Sequence, residues 1–182
     1  DGNWTVKDIV KYDEPKGIIW FTARKENSGR FDLYKIKMDG TGLQRLTFGD
    51  YTHAANISTN GSYFITTYSN VSTPTRIALV DAKGDPKLIA DSKNAELDNY
   101  NIAKTELVRV KTPDGFDLPV LITWPTNMDN NKKYPVLISI YGGPNAGTVY
   151  DGWKGLGQAQ WWAKEGMIQV SIDHRASGHF GK

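Results

Sequence analysis

Tyr134-Pro135-Val136-Leu137-Ile138-Ser139-Ile140-Tyr141-Gly142-Gly143-Pro144 is the stretch of this chain that constrains its fold most. Its middle is an almost unbroken apolar run, the pattern of a strand buried on both faces of a sheet. The run stops at Gly142-Gly143, where two missing Cβ atoms permit a tight turn and close approach by another backbone or a ligand. Pro144 fixes the exit from that turn. Downstream, a glycine-rich loop leads to a predicted helix over about 156–165, and Ile168–Asp173 reads as a second strand of the buried type. Strand, helix, strand is the start of an α/β crossover. Upstream, Leu107–Lys111, the turn Pro113-Asp114-Gly115 and Leu118–Trp124 predict a β-hairpin, followed by a polar loop from Asn127 to Lys133.

The first half follows another rule. Ile19-Trp20-Phe21-Thr22-Ala23 aligns with Tyr63-Phe64-Ile65-Thr66-Thr67 at an offset of 44 residues. Leu33-Tyr34-Lys35-Ile36 aligns with Arg76-Ile77-Ala78-Leu79, and Leu43-Gln44-Arg45-Leu46 with Pro86-Lys87-Leu88-Ile89, both at an offset of 43. Each unit holds four short strands, predicted near 5–12, 17–24, 32–38 and 43–48, and again near 53–58, 62–68, 75–81 and 86–90. Turn-forming clusters such as Asp39-Gly40-Thr41-Gly42 and Asn60-Gly61 separate them. Four strands recurring at this spacing are the pattern of a β-propeller blade; a small antiparallel sandwich or meander is the alternative. Two blades do not close a ring, which takes at least about four, so the propeller reading makes this chain part of a larger protein. A polar, irregular stretch from Ser92 to Tyr100 separates the two halves.

Composition excludes several classes. Residues 1–95 carry 13 basic and 11 acidic groups and residues 96–182 carry 9 of each, so no stretch is basic enough to favour nucleic acid or anionic lipid. No apolar run approaches the roughly 20 residues of a membrane-spanning helix. With no cysteine there is no disulfide, thiolate metal site or cysteine nucleophile. Gly152-Trp153-Lys154-Gly155-Leu156-Gly157 lacks dinucleotide-binding spacing, and Asp39-Gly40-Thr41-Gly42 lacks the later acidic ligands of a calcium loop.

With these residues in view, the chain resembles the prolyl oligopeptidase family of serine peptidases, most closely its dipeptidyl peptidase IV branch. The similarity rests on Lys133-Tyr134-Pro135 with the strand ending in Tyr141-Gly142-Gly143-Pro144. It also rests on the blade sequence Asp32-Leu33-Tyr34-Lys35-Ile36-Lys37-Met38-Asp39-Gly40 with Arg45-Leu46-Thr47, on the hairpin at Thr112-Pro113-Asp114-Gly115, and on Asp173-His174-Arg175-Ala176-Ser177-Gly178. The resemblance implies a mixed fold: a partial β-propeller of two four-stranded antiparallel blades, the last two, over 1–92, then a linker over 93–104. Residues 105–182 then correspond to the N-terminal part of an α/β-hydrolase domain, ending before the nucleophile elbow. It implies a parent protein that releases N-terminal dipeptides, with Pro or Ala at the second position, by a Ser-His-Asp triad. An acylaminoacyl-peptidase or oligopeptidase of the same fold and a non-catalytic binding homologue are the alternatives.

The sequence contains no Gly-x-Ser-x-Gly, the elbow that carries the nucleophile, so this chain alone is expected to be inactive. The resemblance assigns Tyr141 as the phenol of the oxyanion hole, supported by the loop residues Gly142, Gly143 and Pro144. Without it, Tyr141 reads as an aromatic strand end packed on its sheet. Asp173 and Arg175 are expected to form an ion pair with each other or to cap a turn. Ala176 stands where the family has Gly, which carries a steric penalty if that turn needs a positive φ. His53 is expected at a polar edge or solvent position, His174 and His179 as neither triad base nor zinc ligand, and Trp153, Trp161 and Trp162 around the predicted helix. The partners implied are short peptides, earlier blades, the remainder of the hydrolase domain and a second copy in a homodimer. No nucleic acid, cofactor or metal is expected, and export or a periplasmic location is suggested by the resemblance alone.

Overall fold

Adjacent residues on a strand face opposite sides of its sheet, and Trp20 and Phe21 use both. In the computed structural model, which describes residues 4–180, they lie on the second strand of a four-stranded meander. The ends of the first and last predicted segments, 1–3 and 181–182, lie outside the described residues. The meander comprises β1 (Val6–Asp13), β2 (Ile18–Ala23), β3 (Asp32–Lys37) and β4 (Gln44–Arg45), antiparallel and in sequence order. A second meander repeats it with β5 (Thr52–Ile57), β6 (Phe64–Asn70), β7 (Thr73–Val80) and β8 (Pro86–Asp91).

Trp20 and Leu33 from the first sheet pack against Phe64 and Val80 from the second, making the buried core between them. On the opposite face of the first sheet, Phe21, Ala23 and Tyr34 form a separate cluster, with the Trp4 ring stacked on Phe21 at 6.1 Å. Each sheet has the up-and-down topology of a propeller blade.

A third sheet has the order β11-β12-β10-β9. The hairpin strands are β9 (Thr105–Lys111) and β10 (Asp117–Thr123), joined through Gly115, whose φ of 90° favours glycine. Strand β11 (Val136–Ser139) runs parallel to β12 (Ile168–Ile172), and the crossover between them carries α1 (Gln158–Lys164). The segment between β8 and β9 contains a single 3₁₀ turn, Leu97–Asn99, and is tied to α1 where the Ala103 N–H donates to Gln160 Oε1 at 2.7 Å.

Two expectations are corrected here. The apolar run is not buried on both faces: Val136, Leu137, Ile138, Ile140 and Tyr141 each leave 43–69% of their surface open. Strand β11 is the edge of its sheet, bonded only to β12, and α1 packs on β12 instead of covering it. Trp161 is likewise half exposed, meeting Trp162 edge-on at 4.4 Å.

His53 is not at an edge but buried, with 4% of its surface exposed. Its Nε2 lies 2.9 Å from the Phe48 carbonyl and its Nδ1 3.0 Å from the Thr66 hydroxyl. The carbonyl can only accept, so Nε2 donates and Nδ1 accepts from Thr66, which is the neutral ring fully satisfied. Stacking on Tyr68 at 5.5 Å completes its surroundings.

Burial pushes the His53 pKa below its ordinary 6.5. The unfolded chain then takes up a proton at a pH where the folded one does not, so the stability from His53 is present above pH 6.5 and lost as pH falls below it. Thermal melts across pH 7 to 5 should show Tm declining below about 6.5, and His53→Gln should flatten that part of the profile. His53→Ala should cost about 1–3 kcal/mol at neutral pH by leaving Thr66 and Phe48 unpaired.

Candidate active site

The segment that follows β11 has little regular structure of its own, and its shape is set from outside. Gly142 takes φ 77° and Asn145 φ 53°, the one non-glycine residue at positive φ among those described. The Tyr141 ring lies over Gly143, where any side chain would collide with it. Beyond Pro144, the Asn145 N–H donates to the Ala176 carbonyl at 2.7 Å. Gly147 presses on the buried His179 ring: a Cβ there would sit 2.7 Å from His179 Nε2.

Asp173 does most of the holding. One carboxylate oxygen accepts from the N–H groups of Thr148 (2.6 Å) and Val149 (2.7 Å), and the other accepts from the Thr148 hydroxyl at 2.9 Å. His179 Nε2 donates to the same carboxylate at 2.6 Å. Burial alone raises the pKa of this group, but the Val149 N–H, His179 and Thr148 outweigh it and hold the carboxyl below its ordinary value. Asp173 therefore stays ionised at neutral pH.

The expected Asp173–Arg175 pair does not form. Asp173 faces the buried loop, while Arg175 lies at an exposed turn, pairs with Asp114 in the β9–β10 turn and stacks over Phe116 at 4.5 Å. Asp173 does cap a loop, that of Thr148 and Val149. Ala176 carries no left-handed strain, because the positive φ values fall on Asn145 and Gly178. His179 has both ring nitrogens engaged, Nε2 with Asp173 and Nδ1 beside Arg24 and the Ser28 carbonyl, so it is closed to service as a base. Among the described residues, no group of three or more His, Asp or Glu is arranged to hold a metal ion.

Tyr141 itself projects from this clamped loop with 69% of its surface exposed, and its hydroxyl makes no hydrogen bond to the described residues. It is not packed on the sheet. A phenol donor on a loop pinned at Asn145, Thr148 and Val149 is suited to meeting an acceptor that arrives from outside.

The loop and the 173–179 turn are also fixed to the two meanders. Arg30 bridges Asp151 (2.5 Å) and Asp50 (2.7 Å), and Asp151 accepts from the Val71 N–H at 2.9 Å. Arg109 reaches the Ser28 hydroxyl and the Asn27 side-chain carbonyl, both at 2.7 Å. Arg24 meets His179 Nδ1 at 2.8 Å and donates to the Tyr150 hydroxyl at 3.0 Å. None of Arg24, Arg30, Arg109 or Asp151 stands out as a site residue in the sequence. The only local signal is Arg24, a charge placed directly after the apolar run of β2.

Comparison with known proteins gives a consistent picture. Residues 1–75 match the family model described as the dipeptidyl peptidase IV (DPP IV) N-terminal region. Dipeptidyl peptidase 4 of Trichophyton equinum is 29% identical over 190 residues, covering all of this chain and 24% of that protein. A probable dipeptidyl-aminopeptidase B of Aspergillus clavatus is 30% identical over 195 residues, covering all of this chain and 21% of that protein. The crystal structure of Porphyromonas gingivalis dipeptidyl peptidase 4 superposes with a TM-score of 0.85 at 27% identity, over 96% of this chain and 25% of that one. A putative dipeptidyl aminopeptidase IV from Bacteroides ovatus gives 0.82 at 28% identity, over 99% and 26%. The antiparallel sheets thus resemble a propeller region instead of a free-standing sandwich. The chain spans about a quarter of the length of the relatives it matches.

If Asp173 shapes the loop, Asp173→Asn should leave the β-strand amides protected and speed hydrogen exchange at Thr148 and Val149. The expected factor is about 10 to 100, from the roughly 1.5–3 kcal/mol of hydrogen bonds to a charged group. Site-resolved exchange by NMR measures it.

Proposed function

From a chain that is dipeptidyl-peptidase-IV-like along its length, we propose that it forms part of a serine exopeptidase releasing dipeptides from peptide N-termini. Residues 1–92 supply the last two propeller blades, and residues from 105 onward open an α/β-hydrolase domain. The parallel β11–β12 pair with its helical crossover supports this reading. So does the bare, apolar β11, whose composition suits the middle of a larger sheet flanked by further strands and helices of the longer protein.

Tyr141 is the residue of this chain that acts on the substrate. When a nucleophile oxygen attacks the scissile carbonyl carbon, the π electrons move onto the carbonyl oxygen and negative charge develops there. A donor already aimed at that position stabilises the oxyanion without reorganising as the charge forms. The Tyr141 phenol donates to it, and the Gly142-Gly143 turn lets the substrate approach closely. Asp173 and the Thr148 and Val149 amides that it binds hold the donor and do not touch substrate. The nucleophile, its base and the orienting aspartate belong to the triad that the similarity implies, and no residue described in this chain is given those roles.

The observation that carries the reading is the unpartnered Tyr141 hydroxyl on an externally clamped loop. Tyr141→Phe in the full-length protein should lower kcat for an N-terminal Ala-Pro reporter substrate by about 10²- to 10³-fold, with KM nearly unchanged. Unchanged kcat would remove Tyr141 from the chemistry, and absence of any peptidase activity in the unsubstituted protein would overturn the enzyme reading.

A further inference from the structure

Among the described residues, the buried charges are matched with one exception. Asp32 meets Arg45 at 2.8 Å, Asp151 meets Arg30 at 2.5 Å and Asp173 meets His179 at 2.6 Å. Arg24, with 7% of its surface exposed, meets no carboxylate among the described residues. Its Nη2 donates to the Tyr150 hydroxyl at 3.0 Å, its Nη1 reaches the Gly178 carbonyl only at 3.4 Å, and its Nε is buried with no partner. Its remaining contact is compromised. His179 Nδ1 lies 2.8 Å from Arg24 Nη1 and 2.7 Å from the Ser28 carbonyl oxygen. A proton on that nitrogen serves Ser28 and leaves Arg24 without an acceptor; a lone pair there serves Arg24 and faces the carbonyl.

A second cation meets the same ring and lines the same cavity. The Arg24 guanidinium and the Lys7 ammonium lie 4.3 and 4.9 Å from the centroid of the same Phe31 ring. Lys7 has one acidic neighbour among the described residues, the exposed Asp8 at 3.7 Å. Both cations line a cavity of about 650 Å³ that is also walled by Tyr150, Asn145 and Ser177 and, among the described residues, has no acidic residue in its lining. The nearby buried carboxylates are already committed, Asp151 to Arg30 and Val71, Asp173 to the loop amides and His179. Two cations facing one cavity, one of them buried and short of acceptors, favour an anion there through direct attraction and the missing hydrogen bonds.

We infer that this cavity binds a carboxylate group of a short peptide, held between Arg24 and Lys7 on the Phe31 face. That the ligand is a peptide rests on the peptidase reading above; that it is anionic does not. Asn145 belongs both to the cavity wall and to the loop that carries Tyr141, so an acidic peptide seated there lies alongside the candidate active site. The carboxylate is either an acidic side chain or a free C-terminus.

Three peptides without a free amine, and so outside exopeptidase turnover, separate the sources: Ac-Ala-Glu-NH2, Ac-Ala-Gln-NH2 and Ac-Ala-Ala-OH. Calorimetric titration into the full-length protein at low salt should give about tenfold tighter binding of one or both carboxylate peptides than of the neutral one, a difference of about 1.4 kcal/mol. The tighter of the two identifies the source. Lys7→Gln, an exposed change, should reduce that preference to about threefold or less, and Arg24→Gln should abolish it. Equal affinity for all three peptides, including no measurable binding of any, overturns the inference, as does a preference unchanged in both variants. Because no turnover is involved, these results stand whether or not Tyr141→Phe affects hydrolysis.

Discussion

One carboxylate organises the loop that carries Tyr141. Asp173, at the end of β12, gathers two consecutive backbone N–H groups, a hydroxyl and an imidazole around its two oxygens. A loop of this kind has no ladder to satisfy its amides, and amides buried without acceptors cost more than most single contacts supply. The loop therefore takes the shape that brings Thr148 and Val149 to Asp173. The glycine at 147 lets it lie against His179, and Tyr141 is left projecting at its start.

The same carboxylate connects the loop with the meanders. Through His179 it reaches Arg24 at the end of the first sheet, and a few residues along, Asp151 brings Arg30 and the Val71 amide into the same junction. These contacts join segments far apart in sequence, and they are polar and charge-assisted where the sheet–sheet core is apolar. The two kinds of packing divide the work. Trp20, Leu33, Phe64 and Val80 hold the meanders together, while the junction fixes where the loop sits against them.

Much of this was legible from local pattern. The offset of 43–44 residues announces two copies of one four-stranded unit, and the turns fall where Gly40, Gly61 and Gly115 adopt positive φ. The hairpin, the crossover helix and the strand after it also follow from periodicity and turn chemistry, with boundaries shifted by one or two residues. What was not legible depends on partners remote in the chain. His53 is polar by type, but Thr66 and Phe48 satisfy both its nitrogens and allow its burial. Asp173 and Arg175 are two residues apart and of opposite charge, yet the carboxylate faces inward and the guanidinium outward to Asp114. The apolar run of β11 reports what that strand is suited to contact, and within this chain it is an edge. Tyr141 could be singled out by its motif, but that its hydroxyl is free and its loop clamped is a statement about three-dimensional neighbours.

The proposed role of Asp173 is to hold Tyr141 for the reaction, and a double-mutant cycle on kcat in the full-length protein measures the coupling between the two. If the account is right, Asp173→Asn slows hydrolysis in the unsubstituted background and has little further effect once Tyr141→Phe has removed the phenol. The coupling between the two positions should then be about 1–3 kcal/mol. Strictly additive losses would contradict it, because Asp173 would then be supporting the enzyme by a route that does not pass through Tyr141.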